Sequence, residues 1–262
     1  MKYLLRIILI ITITGLSACS SKQEVVIDRK VSEPDLVQAS ALNVQLALGY
    51  IERDQLNVAQ EKLDKAIEQN PENVDAYTSL AYLKRKVDEF DAAEDYYLEA
   101  LEIKPNDPNI HNSYGSLLCQ MGRYDDALEE IKRAYEDPFY ESPYLAYANA
   151  GTCLLDKGEY EQAEKMLRKT LRGQPNYAGA LLSMAEIGIK TEKYMMARAY
   201  IQRYHAIARP SAESLWLQVQ SEKALGAQDH YLKYARKLLK DFPDSEEAGK
   251  LEEMARNERI RY

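Results

Sequence analysis

PNIHNSYGSLLCQMGRYDDALEEIKRAYEDPFYE, residues 108–141, is one of several segments of this chain written in the same register. Its Gly115 belongs to a series of small residues, Ala47, Ala81, Gly115, Gly151 and Ala185, that steps by 34, 34, 36 and 34 positions. Its Ala127 belongs to a second small series with the same steps: Ala59, Ala93, Ala127, Ala163 and Ala197. Its Tyr124 belongs to a third, of large apolar residues: Leu56, Phe90, Tyr124, Tyr160 and Tyr194. Two helices cross closely only where a side chain at the crossing is small, so the Ala/Gly series mark the contact between a helix A and a helix B in each unit. The large residue fills the gap at the turn between them. Pro71, Pro105, Pro175 and, one residue late, Pro210 close the units. Proline has no N–H to donate and ends the preceding helix.

A self-similar period of this length resembles the tetratricopeptide repeat, two antiparallel helices per unit. The resemblance implies an all-α fold, a right-handed superhelix (α-solenoid) of about six helix pairs, and binding of another polypeptide rather than catalysis. The units read 40–73, 74–107, 108–141, 144–177 and 178–211. The two extra residues fall in Asp137-Pro138-Phe139-Tyr140-Glu141-Ser142-Pro143, a stretch suited to a lengthened turn. A sixth unit, 212–245, keeps Pro243 but has Val219 and Tyr231 at the small positions, as a terminal repeat with only one neighbour can. Residues 246–262, with Ala248, Leu251, Met254 and Ala255, are expected to form a C-terminal capping helix.

Lys2 and Arg6 accompany an apolar run from Leu4 to Leu16 that is too short for a bilayer span and ends in small residues, the pattern of a secretory signal peptide over 1–18. The junction Leu16-Ser17-Ala18-Cys19 resembles a bacterial lipobox, which implies acylation of Cys19 as the new N-terminus. Ser20, where an Asp would favour retention in the inner membrane, implies a protein anchored in the outer membrane through its N-terminal acyl chains and facing the periplasm of a Gram-negative cell. Residues 19–39 are then a lipidated tether, with a reach of roughly 25 Å if flexible.

Loss of Lys2 and Arg6 with the signal peptide takes the formal net charge from −8 to about −10. So acidic a chain lacks the positive surface that nucleic-acid binding needs. Cys119 and Cys153 lie on the A helices of adjacent units. In an oxidising compartment such a pair reads as a disulfide stapling the third repeat to the fourth; reduced, the two are small buried apolar residues. His111, His205 and His230 are far apart, and no cofactor, metal or small-molecule substrate motif stands out. The chain is therefore read as a non-enzyme. A hydrolase would instead need an acid/base pair of carboxylates with perturbed ionisation in a cleft.

In tetratricopeptide arrays positions 2, 5, 9 and 12 of each unit face the concave groove. In the first unit these are Ala41, Val44, Leu48 and Ile51, an apolar stripe, while Leu46, Ala47 and Tyr50 are read as core. The groove expected for a partner comprises Ala41, Val44, Leu48 and Ile51, then Tyr82, Asn112 and Asn149, which can hydrogen-bond an extended peptide. The alternative is that residues 20–39 fold back over the apolar part. Trp216 is either a further anchor or a core residue of the last repeat.

Several segments are more specific than the repeat. His111-Asn112-Ser113-Tyr114-Gly115-Ser116-Leu117-Leu118-Cys119, Asn149-Ala150-Gly151-Thr152-Cys153, Leu215-Trp216-Leu217 and Phe242-Pro243-Asp244-Ser245 resemble the pilotin lipoproteins of type IV pilus biogenesis (PilF/PilW-type). That resemblance implies an adaptor that binds the secretin subunit of the type IV pilus and promotes its outer-membrane localisation and multimerisation, needed for pilus assembly and twitching motility. A lipid-anchored scaffold for outer-membrane β-barrel assembly or for cell-wall hydrolases would share the same fold.

Overall fold

Helix A and helix B of each unit alternate along the chain in the computed structural model, which describes residues 35–258. The pairs are α1 (Leu36–Glu52) with α2 (Leu56–Gln69), α3 (Val74–Lys86) with α4 (Phe90–Ile103), and α5 (Pro108–Gln120) with α6 (Tyr124–Glu136). They continue with α7 (Pro143–Lys157) and α8 (Tyr160–Gly173), α9 (Ala178–Lys190) and α10 (Tyr194–His205), and α11 (Ala212–Ala224) and α12 (Gln228–Asp241). A last helix, α13 (Glu246–Glu258), packs on α11 and α12. Every regular element among the described residues is a helix, so the chain is an all-α solenoid. Helix α1 starts at Leu36, which corrects the expected tether: residues 36–39 belong to the first helix. The signal peptide, Cys19, the tether up to residue 34 and residues 259–262 lie outside the described residues.

The turn between A and B repeats with the same register. One residue in each takes left-handed backbone: Asp54, Asp88, Gly122, Gly158, Glu192 and Gly226, with φ between 57° and 86°. Glycine adopts this conformation without penalty, whereas Asp and Glu hold it against their own Cβ. The following B helix starts, in the first five units, on the large residue of the series, at Leu56, Phe90, Tyr124, Tyr160 and Tyr194. Several A helices are capped by the turn before them. Asn73 accepts from the backbone N–H groups of Asp75 and Ala76, Asp107 accepts from that of Asn109, and Ser211 forms a capping box with Ser214.

The small residues stand where A meets B. Ala47, Ala59, Ala81, Ala93, Ala127, Ala163, Ala185 and Ala197 are all fully buried. A Cβ on Gly115 would come within 2.6 Å of Ile131 Cγ1 and 2.8 Å of the Ala127 carbonyl oxygen. Successive A helices pack through a second set of positions, numbered from 40, 74, 108, 144, 178 and 212. Val44 and Ile51, at positions 5 and 12 of α1, cluster with Ala76, Leu80 and Leu83, at positions 3, 7 and 10 of α3. The same receiving positions are buried in α5 (Ile110, Tyr114, Leu117), in α7 (Ala146, Ala150, Cys153) and in α9 (Ala180, Met184, Ile187).

Two of these seams differ from the others. Between the third and fourth units Cys119 is bonded to Cys153, with Cα atoms 5.7 Å apart. Closing a loop of 34 residues in the unfolded chain is worth about 3–4 kcal/mol on chain-entropy grounds. Between the fifth and sixth units the receiving positions of α11 are polar instead: Ser214, Gln218 and Ser221, with Glu222 beside them, all fully buried. The Glu222 carboxylate is gripped by both Nε and Nη2 of Arg198 and accepts from Gln218 Nε2. Gln218 Oε1 is buried without a hydrogen-bond partner.

Glycine substitutions separate the two packing roles. At Gly188 a Cβ would lie 2.7 Å from the Ala197 backbone nitrogen and 2.9 Å from its Cα, whereas at Gly49, on the unpacked side of α1, it would meet nothing within 4 Å. Gly188→Ala is expected to lower stability by about 1–3 kcal/mol through overpacking. Gly49→Ala is expected to raise it by about 0.5–1 kcal/mol through helix propensity. Urea unfolding followed by circular dichroism measures both.

Candidate partner-binding surface

Helix α1 has the receiving face of an A helix but no described helix before it. Its positions 3, 7 and 10 are Leu42, Leu46 and Gly49. The corresponding residues of the later units are buried throughout, yet Leu42 is 56% and Leu46 44% exposed. Leu36 is exposed as well. A second apolar row runs along the inner side of the same helix, where Val37, Ala41 and Leu48 are exposed and Tyr82 of α3 follows Leu48 at the same unit position. A shallow cavity of about 210 Å³ opens beside Val37 and Ala41, bordered by Asn73 and Lys104. Contiguous apolar surface of this kind, rimmed by polar groups, marks an interaction site.

This surface is held on a rigid support. Ser40, fully buried, donates to the Ala66 carbonyl at 2.7 Å and accepts from Asn73 Nδ2 at 2.7 Å. Asn43 Nδ2 donates to Gln69 Oε1 at 2.8 Å. These bonds tie the start of α1 to the end of α2 and to the cap of α3, so the leucines are presented on a preorganised helix.

The expected groove needs correcting at three residues. Val44 and Ile51 are core, each 6% exposed, because they are the knobs that α1 lays onto α3. Leu46, read as core, is surface, because no described helix covers position 7 in the first unit. Asn112 is also internal: it accepts from Asn149 Nδ2 at 2.9 Å and donates to the Tyr140 hydroxyl at 3.4 Å. Tyr140 is itself buried, delivered by the lengthened turn, while its neighbour Phe139 stays 89% exposed. Of the expected set, Ala41, Leu48 and Tyr82 are exposed, and Asn149 is half-buried against Asn112. A signal for the missed leucines was present: positions 3 and 7 are occupied by buried side chains in units two to five, and the first unit repeats that chemistry.

Two of the three histidines are used within the scaffold. His111 bridges Glu130 Oε2 at 2.6 Å and the Pro105 carbonyl at 2.9 Å, joining the end of the second unit to α6. His205 Nε2 lies 3.0 Å from Ser214 Oγ at the capping box of α11. Burial, helped by the nearby Lys237, holds the His205 imidazole below its ordinary pKa.

Residues 50–117 match one family model of the tetratricopeptide repeat, and residues 113–178 and 149–213 match a second. The type IV pilus assembly protein PilF of Pseudomonas aeruginosa is 29% identical over 202 residues, which cover 77% of this chain and 80% of PilF. The crystal structure of PilW, a type IV pilus biogenesis factor, superposes with a TM-score of 0.77 at 29% identity, covering 82% of this chain and 98% of PilW. The structure of Pseudomonas aeruginosa PilF gives 0.75 at 27% identity, over 84% and 99% of the two chains.

Opposite outcomes are expected for a charge on the two sides of α1. Val44→Asp buries a carboxylate against α3 and lowers stability by about 3 kcal/mol or more. Leu46→Asp, already solvated, leaves stability within about 0.5 kcal/mol of the parent. Thermal melts of the two variants compared with the parent check this.

Proposed function

The chain belongs to the tetratricopeptide repeat family, and from that premise we propose that it is a pilotin, a lipid-anchored adaptor of type IV pilus biogenesis that brings the pilus secretin subunit to the outer membrane and promotes its multimerisation. The likeness to PilF and PilW extends over most of all three chains and supports the pilus role. The observation that carries the adaptor reading is the uncovered apolar surface of α1, Leu42 and Leu46 at its end and Val37, Ala41 and Leu48 on its inner side. A secretin subunit in transit carries surface destined for the membrane and not yet satisfied. A helix that already offers half of an inter-repeat seam gives such a segment an apolar counterpart.

Acylation at Cys19 supplies the other half of the mechanism. Several acyl chains anchor firmly, and cargo held by the repeats is then confined near the membrane, where its effective concentration favours ring assembly without any chemical step. No catalytic group enters this scheme. The fold serves equally for a lipid-anchored scaffold of β-barrel assembly, so the assay must be specific to the secretin.

Deletion of the gene is expected to remove detergent-resistant secretin multimers from the outer-membrane fraction and to abolish twitching motility. Complementation with the parent restores both. Leu46→Asp, present at parental abundance, restores neither. Intact multimers alongside a general defect in β-barrel proteins would favour the scaffold reading instead.

A further inference from the structure

At the other end of the array the inner surface changes chemistry. Glu186 of α9, Glu213, Trp216 and Gln220 of α11, and Glu247 of α13 surround a cavity of about 320 Å³. Glu186 and Gln220 occupy position 9 of their units, Glu213 position 2 and Trp216 position 5, so the cavity continues the inner row that begins with Ala41 and Leu48. Helix α13, which begins 34 residues after α11, where a next A helix would start, lines its side.

We infer that this cavity receives a cationic side chain, a guanidinium or ammonium presented by a basic segment of a protein partner, with the ion between the carboxylates and its stem against the indole of Trp216. Three carboxylates and two lysines, Lys190 and Lys250, line the cavity, so its charge is net acidic, and the causes acting on Glu213 include no cation. Lys250 pairs with Glu246 at 2.7 Å and feels the charge of Glu247, while Lys190 tempers Glu186. Burial is the main cause that raises both Glu186 and Glu213 above the ordinary carboxylate range, and for Glu213 the charges of Glu186 and Glu247 add to it. An incoming cation relieves that penalty, and a half-buried indole face adds a cation–π contact.

Among the described residues no group of three His, Cys, Asp or Glu is placed to hold a metal ion. At about 320 Å³ the cavity has room for an organic cation and its stem. A hydrolytic pair would need two carboxyls with ionisation pushed apart, whereas Glu186 and Glu213 are shifted in the same direction. The site is chemically distinct from the leucines of α1 and does not depend on the pilotin reading.

Trp216 is the single tryptophan of the chain, so its emission reports on this cavity alone. The test titrates the full soluble repeat protein with two acetylated, amidated octapeptides, one carrying two arginines and the other citrulline at the same places. The arginine peptide is expected to give a saturable change in Trp216 emission that weakens with added salt, and the citrulline peptide to bind about fivefold or more weakly. In the Glu213→Gln, Glu247→Gln double variant the preference for arginine is lost while the melt is retained. Equal binding of the two peptides by the parent protein overturns the inference, as does the absence of a saturable change with arginine. Emission that shifts with protein concentration alone, together with a dimer in sedimentation, assigns the cavity to a second copy of the chain and overturns it as well.

Discussion

Everything in this molecule follows from how closely helix A can approach helix B. At the crossing there is room for a hydrogen or a methyl group and little more: a Cβ at Gly115 or Gly151 would lie 2.6 Å from Ile131 or Leu167. That limit fixes the pairing of each unit, and the left-handed residue in each turn brings B back onto A at the same height. Once the pair is fixed, its A helix presents two different faces. One gives side chains to the next unit, at positions 5 and 12, and the other receives them, at positions 3, 7 and 10. A solenoid is the repetition of that exchange, and each unit is stable mainly through its neighbours.

A repeated exchange must stop somewhere, and the way it stops is where function enters. At the C-terminal end, α13 meets the sixth unit with Ala248 and Leu251 buried against it. At α1 the receiving face keeps apolar leucines in solvent. A surface shaped by stability alone would carry polar side chains there, and it is on Leu42 and Leu46 that the proposed recognition rests.

The pairing and the count of units were legible in the sequence because the crossing admits so few residue types that the period survives divergence elsewhere. Less was legible wherever the backbone or a distant neighbour decides. Asp54, Asp88 and Glu192 hold the same turn as Gly122, Gly158 and Gly226, yet no side-chain type betrays a positive φ at an Asp or Glu. The roles of Val44 and Leu46 were exchanged, because helical spacing separates the faces of α1 but not which face has a neighbour. Asn112 looked available for a peptide until the lengthened turn supplied Tyr140 as its partner. The sequence marked Trp216 as an anchor or a core residue and α13 as a cap, but only the packing of α13 brings Glu247 and Lys250 to the same cavity.

The seams between units are unequal, and that inequality sets an order of disassembly. Between the third and fourth units a covalent link holds the array together. Between the fifth and sixth, the grip of Arg198 on the buried Glu222 stands beside a small apolar cluster of Ala185, Ile201 and Leu217, and the desolvation of such a pair cancels most of its attraction. In a linear array, coupling between neighbours decides where order is first lost. Fraying from the C-terminal side is therefore expected to open this seam before it reaches the sulfur bridge. The units on the far side of that bridge, which carry the exposed leucines of α1, are shielded from a loss that begins at the C-terminal end.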